Sequence, residues 1–134
     1  MKKFVLAALI AVIALSGCDG PAGPGESSDI TALDIGRGGT AFRFEVTDDT
    51  GTVTAWNVRT DEATVGAALL EAGLIGGDLS ALGLYVTEVN GLTADFSANG
   101  SWWEFFIDGE PSMAGVDSTD IDPEKRYAFV YRTS

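Results

Sequence analysis

In the stretch from Ala41 to Thr47, apolar and polar residues alternate from Phe42 onward. Phe42, Phe44 and Val46 fall on one face, and Arg43, Glu45 and Thr47 on the other. A period of two is the signature of a strand buried on one side. Asp48-Asp49-Thr50-Gly51 follows, built of residues that favour turns. Thr52 to Arg59 then resumes an extended pattern with Val53, Trp56 and Val58, so a β-hairpin is predicted. The period changes after Thr64, a residue suited to capping a helix. Val65, Ala68, Leu69 and Ala72 recur at helical spacing and define one apolar stripe. Gly73 suits the left-handed residue that ends a helix. Leu74 and Ile75 are expected to pack back on the sheet, and Gly76-Gly77-Asp78 to open a loop.

Three further strands are predicted downstream. Leu84 to Val89 is closed by Asn90-Gly91, a strong hairpin signal. Trp102 to Ile107 is rich in aromatic residues and ends at Asp108-Gly109, after a separate turn at Asn99-Gly100. Arg126 to Arg132 is the last strand. The order is β-β-α-β-β-β. This predicts an α+β domain: a β-grasp-like mixed sheet with one helix packed across it, the final strand lying parallel to the first.

The N-terminus follows a different logic. Lys2 and Lys3 precede an apolar run from Phe4 to Leu15, which ends at Ser16-Gly17-Cys18. About twelve apolar residues are too few to span a bilayer, which needs roughly twenty. A basic start, a short apolar run and small residues before a cysteine read as a lipoprotein signal sequence. The expectation is cleavage after Gly17 and lipidation of Cys18, with two or three acyl chains holding the protein stably to the membrane on the side away from the cytoplasm. Residues 18–39 carry Gly-Pro-Ala-Gly-Pro-Gly and few apolar side chains, so they read as a flexible tether. Ile30, Leu33 and Ile35 suggest a short strand or packed arm at its end. Three segments are thus expected: a signal peptide over 1–17, the tether over 18–39 and one domain over 40–134.

Composition removes several chemistries. The 134 residues contain one cysteine and no histidine. An intrachain disulfide, a Cys- or His-based metal site, and Ser-His-Asp or Cys-His catalysis are therefore excluded. Net charge is −12, with 20 acidic and 8 basic residues. Loss of Lys2 and Lys3 with the signal makes the mature chain more acidic still. Such a domain repels nucleic acid and anionic lipid, so acyl chains rather than charge must hold it at a membrane.

Four stretches, in order, carry a resemblance. They are Thr64-Val65-Gly66-Ala67-Ala68-Leu69-Leu70; Gly83-Leu84-Tyr85-Val86 with Val89-Asn90-Gly91; Trp103-Glu104-Phe105-Phe106-Ile107-Asp108-Gly109-Glu110; and Gly115-Val116-Asp117. Together they resemble the transcobalamin-like C-terminal domain family over about residues 41–132. The resemblance implies a β-grasp fold. In vitamin B12 carriers such a domain closes over the corrinoid against a large α-helical barrel. In bacteria it occurs in surface-anchored proteins, often lipoproteins, and this chain is similar to the second setting. The barrel has no counterpart in these 134 residues, and no histidine is present to ligate cobalt. At most half of a corrinoid site is implied.

The aromatic strand supplies the candidate site. Trp102, Glu104 and Phe106 share one face; Trp103, Phe105 and Ile107 share the other. Trp103 and Phe105 are expected in the core. Trp102 and Phe106, with Tyr85, are then the candidate ligand-binding surface. The alternative is that both aromatic sets are packed, one of them beneath the loop over 93–100. Asp117, Asp120, Asp122 and Glu124, like Asp48 and Asp49, lack calcium-loop spacing and read as turn formers. No catalytic residue, metal or cofactor is expected, and the protein is read as a non-catalytic binding module. Its expected partners are the membrane, through the lipid anchor, and either a corrinoid-like small molecule or a surface protein.

Overall fold

A computed structural model describes residues 30–134. The expected signal sequence, Cys18 and most of the tether lie outside these residues. The described chain is a mixed α+β domain of two sheets, with one main helix packed against them. The larger sheet has six strands. They are β1 (Leu33–Gly36), β2 (Thr40–Thr47), β3 (Val53–Thr60), β7 (Ser101–Ile107), β8 (Glu110–Pro111) and β9 (Arg126–Thr133), in the spatial order β1-β3-β2-β9-β7-β8. The smaller sheet is β4 (Ile75–Ser80), β5 (Gly83–Val89) and β6 (Leu92–Thr93). The helix α1 (Val65–Glu71) and a short turn of helix α2 (Phe96–Asn99) complete the framework, with a 3₁₀ turn at Val116–Ser118.

The hairpin read from the alternation is β2–β3, paired antiparallel with Phe44 opposite Trp56. The last strand, β9, runs parallel to β2, as the β-grasp reading requires. The short strand suggested by Leu33 and Ile35 is β1, which pairs parallel with the outer edge of β3. The core lies on one face of the large sheet. Phe44 stacks on Trp56 with ring centroids 5.8 Å apart, and Phe105 lies 5.1 Å from Phe129. Trp103 and Phe105 are 7% and 8% exposed, so the expected core assignment holds.

Helix α1 closes this face through Val65, Ala68 and Leu69, all buried. Burying a side chain such as Leu69 completely stabilises the fold by about 1.5–3 kcal/mol. Thr64 caps the helix by accepting the Ala67 N–H at 3.2 Å, and Gly73 stops it with φ of 77°.

Two features differ from the sequence reading. Gly76-Gly77-Asp78 is strand, not loop. It pairs with β5 across an irregularity between Gly76 and Gly77. A Cβ on Gly77 would stand 2.0 Å from the Tyr85 carbonyl oxygen, so the strands approach as closely as they do only because that side chain is missing. Second, Gly83–Val89 does not return to the main sheet. It forms the centre of the smaller sheet, which covers the core beside α1 and buries Val86 and Val89. The indole Nε1–H of Trp103 donates to the Leu92 carbonyl at 3.2 Å and ties the two sheets together.

Candidate functional site

The local sequence around residue 96 builds a rigid corner. Asp95 caps α2 by accepting the Ala98 N–H at 3.1 Å, and Gly100 ends it in the left-handed region at φ 72°. The Asp95 N–H donates to the Ser101 hydroxyl oxygen at 2.9 Å, and that hydroxyl donates to the Asn99 side-chain carbonyl. Ser101 is fully buried, so these bonds are shielded from water. The corner holds the Phe96 ring outward, 58% exposed.

Phe96 faces a cleft of about 370 Å³ between α2 and the smaller sheet. Tyr85, 54% exposed at the middle of β5, also lines it. Asp78 sits directly across from Tyr85 in the β4–β5 pairing, and Asp95 stands beside Phe96. Thr87 and Thr93 are further lining residues. Two aromatic rings lining one cleft with hydroxyls and carboxylates suit a flat apolar body that also carries hydrogen-bond donors or positive charge.

The three aromatic residues singled out in the sequence do not form one surface. Tyr85 belongs to the cleft. Trp102 and Phe106, both half-buried, lie on the opposite face of the large sheet, away from the core. The Arg132 guanidinium covers the Phe106 ring at 5.6 Å and bonds Glu104 at 2.8 Å. Trp102 meets the edge of Phe96, ring centroids 6.1 Å apart. Phe96 therefore connects Trp102 to the cleft, and the loop over 93–100 does cover part of Trp102. Phe96, Asp78 and Asp95 were missed from the sequence. The available signal for Phe96 was an apolar residue directly after a capping aspartate, three residues before Asn99-Gly100.

The acidic loops are occupied by local bonds. Asp117 accepts the Leu84 N–H at 3.0 Å, joining the 3₁₀ turn to β5. Asp122 accepts the Glu124 N–H at 3.0 Å. Asp48 accepts from the Thr50 hydroxyl at 2.7 Å and from the Thr50 and Thr52 amides, which holds its carboxyl below the usual carboxylate range. Among the described residues no three Cys, Asp or Glu side chains are grouped so as to hold a metal ion. Nor is any helix among them long and apolar enough to cross a membrane.

These features define a small α+β domain with an aromatic-walled cleft on its secondary sheet. Residues 52–133 match the model of a domain of unknown function, DUF4430, and the chain belongs to that family. Solved structures share the fold, among them two that differ widely in size. One, described as a "putative metal binding protein" from Ruminococcus gnavus ATCC 29149, is 22% identical with a TM-score of 0.67; the match covers 72% of this chain and 99% of that one. The other is haptocorrin in complex with Cbi, 18% identical with a TM-score of 0.59, matched over 70% of this chain. This chain spans 25% of haptocorrin's length. At the level of fold the domain is thus transcobalamin-like. No curated protein matches the sequence.

Proposed function

We propose that the protein is a non-catalytic ligand-binding module, anchored through lipidated Cys18 to the cell membrane and facing away from the cytoplasm. Its ligand is a small molecule with a flat body, a corrinoid or a compound of similar shape, taken into the cleft between Tyr85 and Phe96. The carrying observation is that two exposed rings, at 54% and 58%, line one cleft together with Asp78 and Asp95. Exposed aromatic rings held by a rigid corner lose little freedom on binding, which favours affinity. The Leu-Ser-Gly-Cys sequence supports the anchor, and the fold shared with haptocorrin supports the choice of corrinoids as first probes.

The test is titration of the full chain with cobalamin and cobinamide, followed by ligand absorbance and tryptophan fluorescence. Saturable binding, weakened at least tenfold by Tyr85→Ala or Phe96→Ala, is the expected result. Absence of any change at high micromolar ligand sinks the corrinoid version.

A second reading rests on a separate observation. Leu79 and Leu82 at the β4–β5 hairpin are 81% and 99% exposed, and an apolar hairpin tip suits a protein partner. A surface protein that co-purifies with the wild type and is lost from Leu79→Ser with Leu82→Ser would favour this reading.

A further inference from the structure

The strongly negative charge of the protein is unevenly spread. Residues 30–134 hold six basic side chains, and four of them fall on one side of the large sheet. Arg43, Arg59, Arg126 and Arg132 occupy strand positions on the face turned away from the core, where the acidic strand positions are Asp34, Glu45 and Glu104; Arg43 and Arg126 pair with Glu45, and Arg132 with Glu104. The remaining surface carries fourteen acidic residues against two basic ones. The same outer face holds Trp102 and Phe106, both half-buried, with Arg132 over the Phe106 ring and Phe96 of α2 against Trp102.

The chain also enters the domain on this side. Arg43 Nη2 donates to the Ile30 carbonyl at 3.2 Å, so the first described residue is fastened to the outer face. Only eleven residues separate Ile30 from Cys18. Even fully extended they reach about 40 Å.

We infer that the outer face of the large sheet is the face this domain turns toward an anionic lipid surface. The inference rests on the proposed anchor at Cys18 but not on the identity of the ligand. Once a short tether holds the domain near lipid, charge decides its orientation rather than its attachment. Headgroup charges act within a Debye length of about 8–10 Å. Any other side would bring a dense set of carboxylates into that layer. The strand positions of the outer face bring four arginines against three carboxylates, close to balance, and its indole can sit at the headgroup level with one polar edge in water. The cleft between Tyr85 and Phe96 is lined by the smaller sheet and α2 and adjoins this face at the Phe96–Trp102 contact.

The test uses the full lipidated chain in vesicles of phosphatidylglycerol with phosphatidylethanolamine, and in vesicles of phosphatidylcholine. Acrylamide quenching of tryptophan fluorescence is compared between wild type and Trp102→Phe. The expected result is that the quenching contributed by Trp102 falls at least twofold in the anionic vesicles. It should recover in about 0.5 M salt, where charge is screened, and in Arg132→Glu, whose folding is checked by thermal melting. Equal quenching of Trp102 in both vesicle types overturns the inference. So does shielding that grows with protein density at fixed lipid, which would mark contact between copies. Vesicle flotation separates the two levels. A chain that fails to float removes the anchor and this inference with it, whereas one that floats with Trp102 equally exposed removes the orientation alone.

Discussion

The Phe96 ring meets Trp102 edge-on, 6.1 Å between centroids at an interplanar angle of 62°. One residue belongs to the cleft and the other to the outer face of the large sheet, so this contact is where the two surfaces join. An edge-to-face pair contributes about 0.5–1.5 kcal/mol beyond its buried area. Phe96→Ala should therefore lower stability by about 1 kcal/mol in urea unfolding, since its ring is already largely exposed. It should also raise acrylamide access to Trp102. A Phe96→Leu variant should recover most of the stability without recovering aromatic ligand contacts.

Gly77 ties stability to the cleft. Its missing side chain lets the Tyr85 carbonyl approach within 2.0 Å of where a Cβ would stand. Gly77→Ala must push β4 away from β5, at about 1–3 kcal/mol by analogy with overpacking. Gly51→Ala is the control. Gly51 has a φ of 88° with open space around it, so only backbone strain opposes the change. It should cost about 1 kcal/mol. Urea midpoints compare the two, and only Gly77→Ala should also weaken ligand binding through displaced Tyr85.

Much of this architecture was legible in the residues, and what was not has physical reasons. The alternation at Phe42, Phe44 and Val46 could only be a one-sided strand, and Thr64 and Gly73 mark the helix ends because their chemistry serves no other position as well. The strand at Gly76-Gly77 was hidden because glycine there answers a close backbone approach, visible only once β5 lies alongside. Alternation in Leu84 to Val89 revealed a strand but not which sheet it joins, since both sheets bury the same kind of face. Tyr85 stood out as an aromatic residue within a strand, whereas Phe96, which lines the same cleft, stands eleven residues away in a polar segment and is brought near by the corner at Asp95 and Ser101.

The Tyr127 phenol predicts an alkaline limit to stability. It is buried at 1% exposure, its oxygen accepts the Asp122 N–H at 3.0 Å and its proton goes to the Asp120 carbonyl at 3.3 Å. Burial, with Asp122, Asp108 and Asp120 nearby, pushes its pKa above the ordinary 10.0. The folded state thus keeps the proton longer than the unfolded chain. This contribution is complete below pH 10 and is lost as pH rises through the folded value. Tyr127→Phe should lose about 1 kcal/mol at pH 7 from its hydrogen bonds, yet flatten the fall in melting temperature above pH 10. Asp48 works at the opposite end. The Thr50 hydroxyl, ahead of the backbone amides, lowers its pKa. Its contribution is present above the unfolded value of about 3.9 and disappears as pH falls through the lowered one. Asp48→Ala should reduce the slope of stability against pH below pH 4.

Glu45 is the carboxylate most enclosed on the outer face, at 9% exposure, with Arg43 Nε at 2.6 Å and Arg126 Nη1 at 3.9 Å. Arg43 and Arg126 are register partners on the parallel strands β2 and β9. Removing the carboxylate leaves two like charges side by side, which destabilises a sheet. Glu45→Ala should cost about 3 kcal/mol as a broken, largely buried ion pair. Glu45→Gln, which keeps the shape and one hydrogen-bond acceptor, should cost less. Added salt should narrow the gap between Glu45→Ala and wild type by screening the arginines. Thermal melts at low and high ionic strength measure this directly.

Adjacent tryptophans on β7 give the sharpest contrast between the two faces. Trp103 is 7% exposed, packs edge-on to Tyr131 at 5.3 Å, and donates its indole proton to the Leu92 carbonyl across to the smaller sheet. Trp103→Ala opens a cavity in the core and leaves that carbonyl without its partner. A loss of about 3–5 kcal/mol is expected, enough to unfold a marginal domain at moderate temperature. Trp102, one residue earlier, is half-buried and rests on Phe96. Trp102→Ala should cost only about 1–2 kcal/mol, the loss of one aromatic contact and part of a buried ring. Paired urea titrations of the two variants decide the matter. A Trp102→Ala loss as large as that of Trp103→Ala would mean the outer face is itself core, and it could then serve neither lipid nor ligand. A small loss leaves Trp102 available to touch whatever approaches the outside of the sheet.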